Sequence, residues 1–190
     1  MGWFSPIKGH YPSLGQIDKT LPVGSGSDNA GLQRGMILKV APDTNNAEGA
    51  FVIPATIAEG DLLYIALQDY ADAQAGMAGT TGFDAGVNPA APVTPGVPTV
   101  TGLSLDMEGE YETDQYDDTI KDTDGVGTKL TVVAGKLSKL TGEGVVVAYL
   151  TSKPYGRWIN NAIAKPDGET NPKMATRQGA TKSVIRFRTK

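Results

Sequence analysis

The densest group of chemically active side chains in this sequence is acidic. Nine carboxylates lie within residues 106–124, where Lys121 is the one basic residue. Five of the nine occupy alternate positions, namely Asp106, Glu108, Glu110, Glu112 and Asp114. Alternate residues of a β-strand share one face, so this spacing predicts a row of carboxylates. Because like charges in a row repel unless cations face them, the row indicates a solvated face, a contact with a basic partner surface or a divalent-cation site.

The partner contact is expected to involve Glu108, Glu110, Glu112 and Asp114. For a cation, residues 122–125 read Asp-Thr-Asp-Gly and match part of a calcium-binding loop, but Ile120 stands where such a loop needs its first Asp. The single histidine, His10, lies in a Gly/Pro-rich stretch, which is a poor support for catalytic geometry. The chain has no cysteine, which excludes a thiol nucleophile. We therefore expect no enzyme activity, no metal and no cofactor.

Basic residues are concentrated in the last 18 residues, which contain no acid: Lys173, Arg177, Lys182, Arg186, Arg188 and Lys190. The whole chain has a formal net charge of −4, so nucleic-acid binding is not expected. Arg186 and Arg188 alternate with apolar residues, as in a strand with one wet face, and are candidate protein contacts. Together, the acidic row and the basic tail predict either contacts between copies of the chain or an internal pairing.

Tyr155, Arg157 and Trp158 place aromatic rings beside a cation. Such a group packs at the edge of a core, anchors a protein interface or stacks on a sugar. Trp158 is the candidate partner contact of this group. A carbohydrate-binding β-module centred on these three residues is one alternative for the function.

The first 31 residues have the composition of an extended arm. Gly, Pro and Ser occupy 13 of these 31 positions, and the apolar residues between them follow neither a helical nor a strand period. The arm is expected to lie over the chain's own core or over a neighbouring subunit. Its candidate anchors on a partner are Trp3, Phe4, Ile7 and Tyr11.

The rest of the sequence predicts an all-β or β-dominated fold. The 24 glycines and 12 prolines disfavour helices, and short β-rich runs occur at 36–40, 51–53, 62–67, 128–133, 136–140, 145–150 and 183–188. We expect one domain over residues 32–190, with a small β-barrel or β-sandwich-like body. An Ala/Gly/Pro-rich excursion interrupts it at 71–100. No apolar run is long enough to span a membrane, and the N-terminus lacks the pattern of a secretory signal, so use without export is expected.

One family resemblance rests on the C-terminal half. Residues 111–117 read Y-E-T-D-Q-Y-D, residues 127–132 read G-T-K-L-T-V, and Gly135-Lys136-Leu137 and a Val-rich run at 145–150 follow. This layout resembles the head decoration, or capsid-stabilising, proteins of tailed bacteriophages over about 105–158 and loosely over 32–68.

The resemblance implies a non-enzymatic virion protein, made in the host cytoplasm, that binds the exterior of the assembled capsid. Its partner would be the major capsid protein, and it would act as a homo-oligomer, a dimer or trimer. A phage tail protein or another structural component of the phage is the alternative within the same class.

Overall fold

The computed structural model describes residues 2, 4–9, 18–24, 31–70, 99–106, 108–160 and 179–190. The secondary structure of these residues is almost entirely β. The strands are β1 (Phe4–Gly9), β2 (Asp18–Pro22), β3 (Ile37–Ala41), β4 (Ala50–Val52), β5 (Leu63–Ala66), β6 (Thr99–Ser104), β7 (Gly109–Thr113), β8 (Lys129–Val133), β9 (Lys136–Lys139), β10 (Ala148–Asn160) and β11 (Gly179–Thr189). No helix in the described part of the chain has the length and apolar character needed to cross a bilayer.

The strands form two antiparallel sheets. The first has six strands in the order β1-β7-β11-β10-β8-β9, and the second has five in the order β2-β6-β5-β3-β4. In the first sheet, β8 and β9 form a tight hairpin whose turn residues, Ala134 and Gly135, both have positive φ, as two-residue hairpin turns require. In β10, the register shifts between Ser152 and Tyr155, where Pro154 has no amide hydrogen to give to the ladder.

The main core lies between the two sheets. The inner face of the six-stranded sheet contributes three neighbouring aromatic rings: the centroids of Phe4 and Tyr111 are 5.4 Å apart, and those of Tyr111 and Phe187 are 5.7 Å apart. The facing side of the five-stranded sheet contributes Ile37 and Ile65, both fully buried. This packing confirms the predicted β-dominated, sandwich-like fold.

The five-stranded sheet also encloses a second core on its other face. Val23, just after β2, forms a parallel bridge with Phe51 of β4, and the Gly24 amide donates to the Phe51 carbonyl oxygen at 2.9 Å. The two ends of the sheet therefore meet around a buried cluster that includes Leu38, Phe51 and Val100. A Cβ at Gly102 would lie 2.8 Å from the Phe51 ring, so the missing side chain makes room for that ring.

The N-terminal residues differ from the sequence prediction. Phe4–Gly9 and Asp18–Pro22, expected to lack regular structure, are edge strands of the two sheets, because β1 pairs with β7 and β2 pairs with β6. Pro6 is tolerated in β1 because an edge strand needs only one row of hydrogen bonds. Phe4 is 2% exposed in the chain's own core, so it is a core residue and not an exposed partner contact.

The structure describes no side chain for the other three residues predicted to anchor the arm. Trp3 and Tyr11 lie outside the described residues, and only the backbone of Ile7 is described. The predicted excursion at 71–100 also needs a correction at its end, because Thr99 already begins β6. Residues 71–98 lie outside the described part of the chain.

Candidate functional site

The outer face of the six-stranded sheet brings the acidic row and the basic tail together. Strands β7 and β11 are antiparallel neighbours, and their register places Glu112 opposite Arg186 and Glu110 opposite Arg188. Strand β10 lies on the other side of β11. We name the resulting set of side chains the charged ladder; it consists of Glu108, Glu110, Glu112, Asp114, Tyr155, Arg157, Lys182, Arg186 and Arg188.

Glu112 is the centre of the charged ladder and is fully buried. Its Oε1 accepts a hydrogen bond from Arg186 Nε at 2.7 Å and another from the Tyr155 hydroxyl. Its Oε2 accepts from Arg157 Nη1. Arg186 Nε also donates to the Tyr155 hydroxyl oxygen at 2.9 Å, and the guanidinium carbon lies 5.5 Å from the centroid of the Tyr155 ring. Two cations and a phenol thus satisfy one buried carboxylate.

These contacts fix the protonation states at the centre of the ladder. Burial by itself raises the pKa of Glu112, but hydrogen bonds from Tyr155 and Arg186 and the charges of both arginines outweigh it, so the pKa lies below its usual value. Burial, followed by the hydrogen bond and charge of Glu112, raises the pKa of Tyr155. The hydrogen bond to Glu112 raises the pKa of Arg186. At neutral pH, the centre therefore holds a carboxylate, a neutral phenol and a guanidinium.

The Arg188–Glu108 end of the ladder is more exposed than its centre. Lys182 Nζ donates to Asp114 Oδ2 at 2.6 Å, and Thr151 Oγ1 donates to Glu110 Oε1 at 2.8 Å. The outermost pair joins Arg188 to Glu108, whose side chains are 59% and 65% exposed. Exposed pairs of this kind add little stability, whereas the removal of one partner from a buried pair is costly.

The central carboxylate lies beneath its cations. Arg157 and Arg186 have side chains that are 36% and 40% exposed, above a Glu112 side chain that is 0% exposed. The surface presented at the middle of the ladder is therefore cationic, although the ladder contains four acids and four bases.

Internal pairing, one of the alternatives left open by the sequence, is what the structure contains. The acidic row predicted to contact a basic partner meets its cations within the same chain, and Glu112 is not available as a surface contact. Strand β7 is also shorter than the predicted row, because Asp106 lies in a turn before it. Glu108 and Asp114 flank the strand but still reach cations of β11.

The roles of Tyr155 and Arg157 were missed in the sequence. Their pattern was attributed to a cluster with Trp158, whereas both side chains bind Glu112. Their alternate positions on one strand are the signal that could have placed them on the same face. Trp158 lies in β10, and only its backbone is described.

Strands β10 and β11 continue beyond their neighbours as a two-stranded ribbon. Strand β8 pairs only with Ala148 and Tyr149 of β10, and β7 pairs only with residues 185–188 of β11. Six consecutive pairs, from Tyr155–Val184 to Asn160–Gly179, then join β10 to β11 alone. We name residues 155–160 and 179–184 the β10–β11 ribbon.

The charged ladder holds the base of this ribbon. Tyr155 and Arg157 bind Glu112, and Lys182 binds Asp114, so side chains from both ribbon strands are tied to β7 or the residue after it. On the other face of the ribbon, the hydroxyls of Ser183 and Tyr116 are hydrogen-bonded. The ladder therefore fixes the direction in which the ribbon leaves the sheet.

In the partial calcium motif, the Asp124 carboxylate binds a backbone amide and a lysine. The Lys121 amide donates to Asp124 Oδ2 at 2.7 Å, and Lys139 Nζ binds Asp124 Oδ1. The backbone hydrogen bond from Lys121 and then the contact with Lys139 lower the pKa of Asp124. Both carboxylate oxygens therefore have partners. Among the described residues, no three ligating side chains are grouped as a metal site would need.

An open depression of about 390 Å³ is lined by none of the residues of the charged ladder. Its lining is mostly apolar and comes from residues 58–63, 105–106, 145–147 and 190. At its rim, Asp61 Oδ2 accepts from the Ala58 amide at 2.9 Å and from Lys39 Nζ at 3.3 Å. Of the residues that the sequence analysis singled out, Asp106 and Lys190 line this depression.

Comparison with family models, curated proteins and solved structures gives no match for this chain. The family resemblance read from residues 105–158 therefore stays a prediction. The function has to be argued from the charged ladder and the β10–β11 ribbon themselves.

Proposed function

We propose that this chain is a structural protein of a tailed-bacteriophage virion that attaches to the outside of the assembled capsid and stabilises it. Its partner in this proposal is the major capsid protein, and it attaches as a homo-oligomer, a dimer or trimer. Two independent features support the proposal: the phage-like sequence layout over 105–158 and the β10–β11 ribbon. The ribbon is the single structural observation on which the proposal depends.

A ribbon of this kind gains stability from a surface to lie on. An isolated two-stranded hairpin is marginally stable in water, and six residue pairs extend over about 20 Å. Within the described residues, the two ribbon strands pair through their backbones only with each other. Their outer edges are therefore rows of backbone donors and acceptors. Such edges pair readily with a strand of another chain.

The charged ladder makes the ribbon a rigid contact element. Because Tyr155 and Arg157 already bind Glu112 and Lys182 already binds Asp114, the base of the ribbon needs no further ordering on attachment. A contact element that is ordered before binding loses less conformational entropy when it binds. On a capsid, the same contact would be repeated many times, so a modest affinity at each site would give strong attachment overall.

Shortening the ribbon tests the proposal directly. In this variant, residues 158–181 are replaced by Asn-Gly, so that Arg157 and Lys182 flank a two-residue hairpin turn. The anchoring contacts and the core are kept, so the circular dichroism spectrum and the urea midpoint should stay close to those of the parent chain. Co-sedimentation with capsids that lack the protein should be lost. Replacement of the equally long segment 73–96 by Asn-Gly is the matched control, and this variant should still attach.

Three outcomes would each overturn a part of the proposal. If the shortened variant decorates capsids as well as the parent chain, the ribbon is not the contact. If a label on the chain is found on the tails of intact particles and not on the shell, the alternative of a tail component replaces capsid decoration. Binding of the parent chain to a glycan array but not to capsids would favour the carbohydrate-binding alternative.

A further inference from the structure

Asp69 is a buried carboxylate without a described cation. It is 6% exposed, and its Oδ1 accepts hydrogen bonds from the Arg34 amide at 2.8 Å and from the Gly2 amide at 3.1 Å. No ion pair found among the described residues includes Asp69. A buried carboxylate without a countercharge is costly, because hydrogen bonds from amides replace only part of its hydration.

The nitrogen beside this carboxylate belongs to a residue that has no room for a side chain. Gly2 is buried, and a Cβ built on it would lie 2.0 Å from the carbonyl oxygen of Arg34. The Gly2 backbone is therefore held against Arg34, with its nitrogen directed at Asp69. A peptide nitrogen offers one hydrogen and no charge, whereas an α-ammonium group offers three hydrogens and a positive charge.

We propose that the peptide bond before Gly2 is hydrolysed in the functional chain, and that the new α-ammonium group of Gly2 forms a buried ion pair with Asp69. Water supplies the hydroxyl that completes the carboxylate of the departing Met1 side, and the Gly2 nitrogen takes up protons to become the ammonium. A peptidase that hydrolyses the bond between Met1 and Gly2 is the class of enzyme required. The contacts of the Gly2 nitrogen support this cleavage, whichever residues precede Gly2.

The ion pair between Gly2 and Asp69 would anchor the chain just before β1. The Gly2 ammonium could donate to Asp69 Oδ2 as well as Oδ1, and Oδ2 accepts none of the hydrogen bonds found among the described residues. Two residues later, Phe4 enters the main core and begins β1. Processing at Gly2 would therefore secure the edge strand of the six-stranded sheet at its start.

The test compares two full-length proteins that differ only before Gly2. One is released from a fusion so that Gly2 is the first residue, and the other keeps Ser-Met ahead of Gly2. The protein beginning at Gly2 should have an unfolding equilibrium constant at least about tenfold smaller, as expected for a buried charge pair. The same comparison with Asp69→Asn should give no difference, because Asn can still accept from both amides but carries no charge.

Two further measurements complete the test. The intact mass of the protein purified without a tag from a bacterial host should correspond to a chain that begins at Gly2. The amine of that protein should react with an acylating reagent much more slowly when folded than in urea. Equal stability of the two full-length proteins, a stability difference that persists with Asp69→Asn, a mass that retains Met1, or a rapidly acylated amine in the folded protein would each overturn the proposal.

Discussion

The six-stranded sheet has one apolar face and one charged face, whereas each face of the five-stranded sheet packs against an apolar core. On β7 and β11, Tyr111 and Phe187 point into the main core, and their neighbours Glu112 and Arg186 join the charged ladder. On β3, by contrast, the consecutive residues Ile37 and Leu38 enter different cores. The five-stranded sheet thus packs against a core on both of its faces. Among the described residues, the six-stranded sheet displays a connected network of polar side chains, whereas the five-stranded sheet carries separate pairs such as Lys39–Asp61 and Thr20–Thr101.

The largest expected effect concerns the second core. Phe51→Ala should lower the free energy of unfolding by about 3–5 kcal/mol, because Phe51 is fully buried and fills the space beside Gly102. Urea denaturation measures the loss. Val133→Ala is the control, since Val133 is exposed on β8 and should change stability by less than about 0.5 kcal/mol. If the two variants lose similar stability, the five-stranded sheet does not enclose a core of its own.

An intermediate effect is expected at the centre of the charged ladder. Glu112→Gln should cost about 2–3 kcal/mol at neutral pH, less than for a completely buried pair because both arginines remain partly exposed to water. Glu108→Gln is the matched control, because Glu108 makes the same kind of pair at the exposed end. A loss as small as that of the control would mean that the ladder does not orient the β10–β11 ribbon.

The stability difference between the parent chain and Glu112→Gln should depend on pH. The pKa of Glu112 is lower in the folded chain than its ordinary value of 4.5, so its stabilising contribution is complete above about pH 4.5 and is lost as the pH falls through the folded pKa. The gap in stability between the parent chain and Glu112→Gln should therefore narrow below pH 4.5. Urea titrations at pH 7, 4 and 3 measure it. A gap that widens on acidification would contradict the direction of the shift.

The smallest effect is expected at the outer end of the ladder. Arg188→Ala should change the free energy of unfolding by about 0–1 kcal/mol, because its partner Glu108 is also exposed. Added salt should reduce even this difference, since ions screen exposed pairs. Arg186→Ala is the comparison and should cost clearly more. An Arg188→Ala loss equal to that of Arg186→Ala would mean that the outer end of the ladder contributes as much stability as its centre.

The contrast between the sheets also explains how far the sequence could predict them. The alternation through Glu112 on β7 and Arg186 on β11 has the period of a half-buried strand, and it placed the charged residues on one face. The apolar runs of β3 and β5 predicted strands but could not say that each has two buried faces. The pairing of the acidic row with the basic tail was only one of two alternatives, because register between distant strands leaves no local signal.

The strands that were missed have a common physical reason. In β1, Pro6 interrupts the alternation, and the strand exists because β7 offers it a free edge and the main core accepts Phe4. In β6, Thr99 follows directly on the Ala/Gly/Pro-rich stretch, and Gly102 has a role only once Phe51 is packed against it. Tertiary contacts therefore decide these elements, and local propensity is overridden.

The position of β7 between the first and the last strands has a consequence for translation. Thr113 pairs with Phe4 of β1 on one side and with Ile185 of β11 on the other. A ribosome adds about 5–20 residues per second, so β1 waits roughly 5–20 s for its partner, and β11 emerges later still. Throughout that interval, the nascent amino terminus has no β7 to pair with.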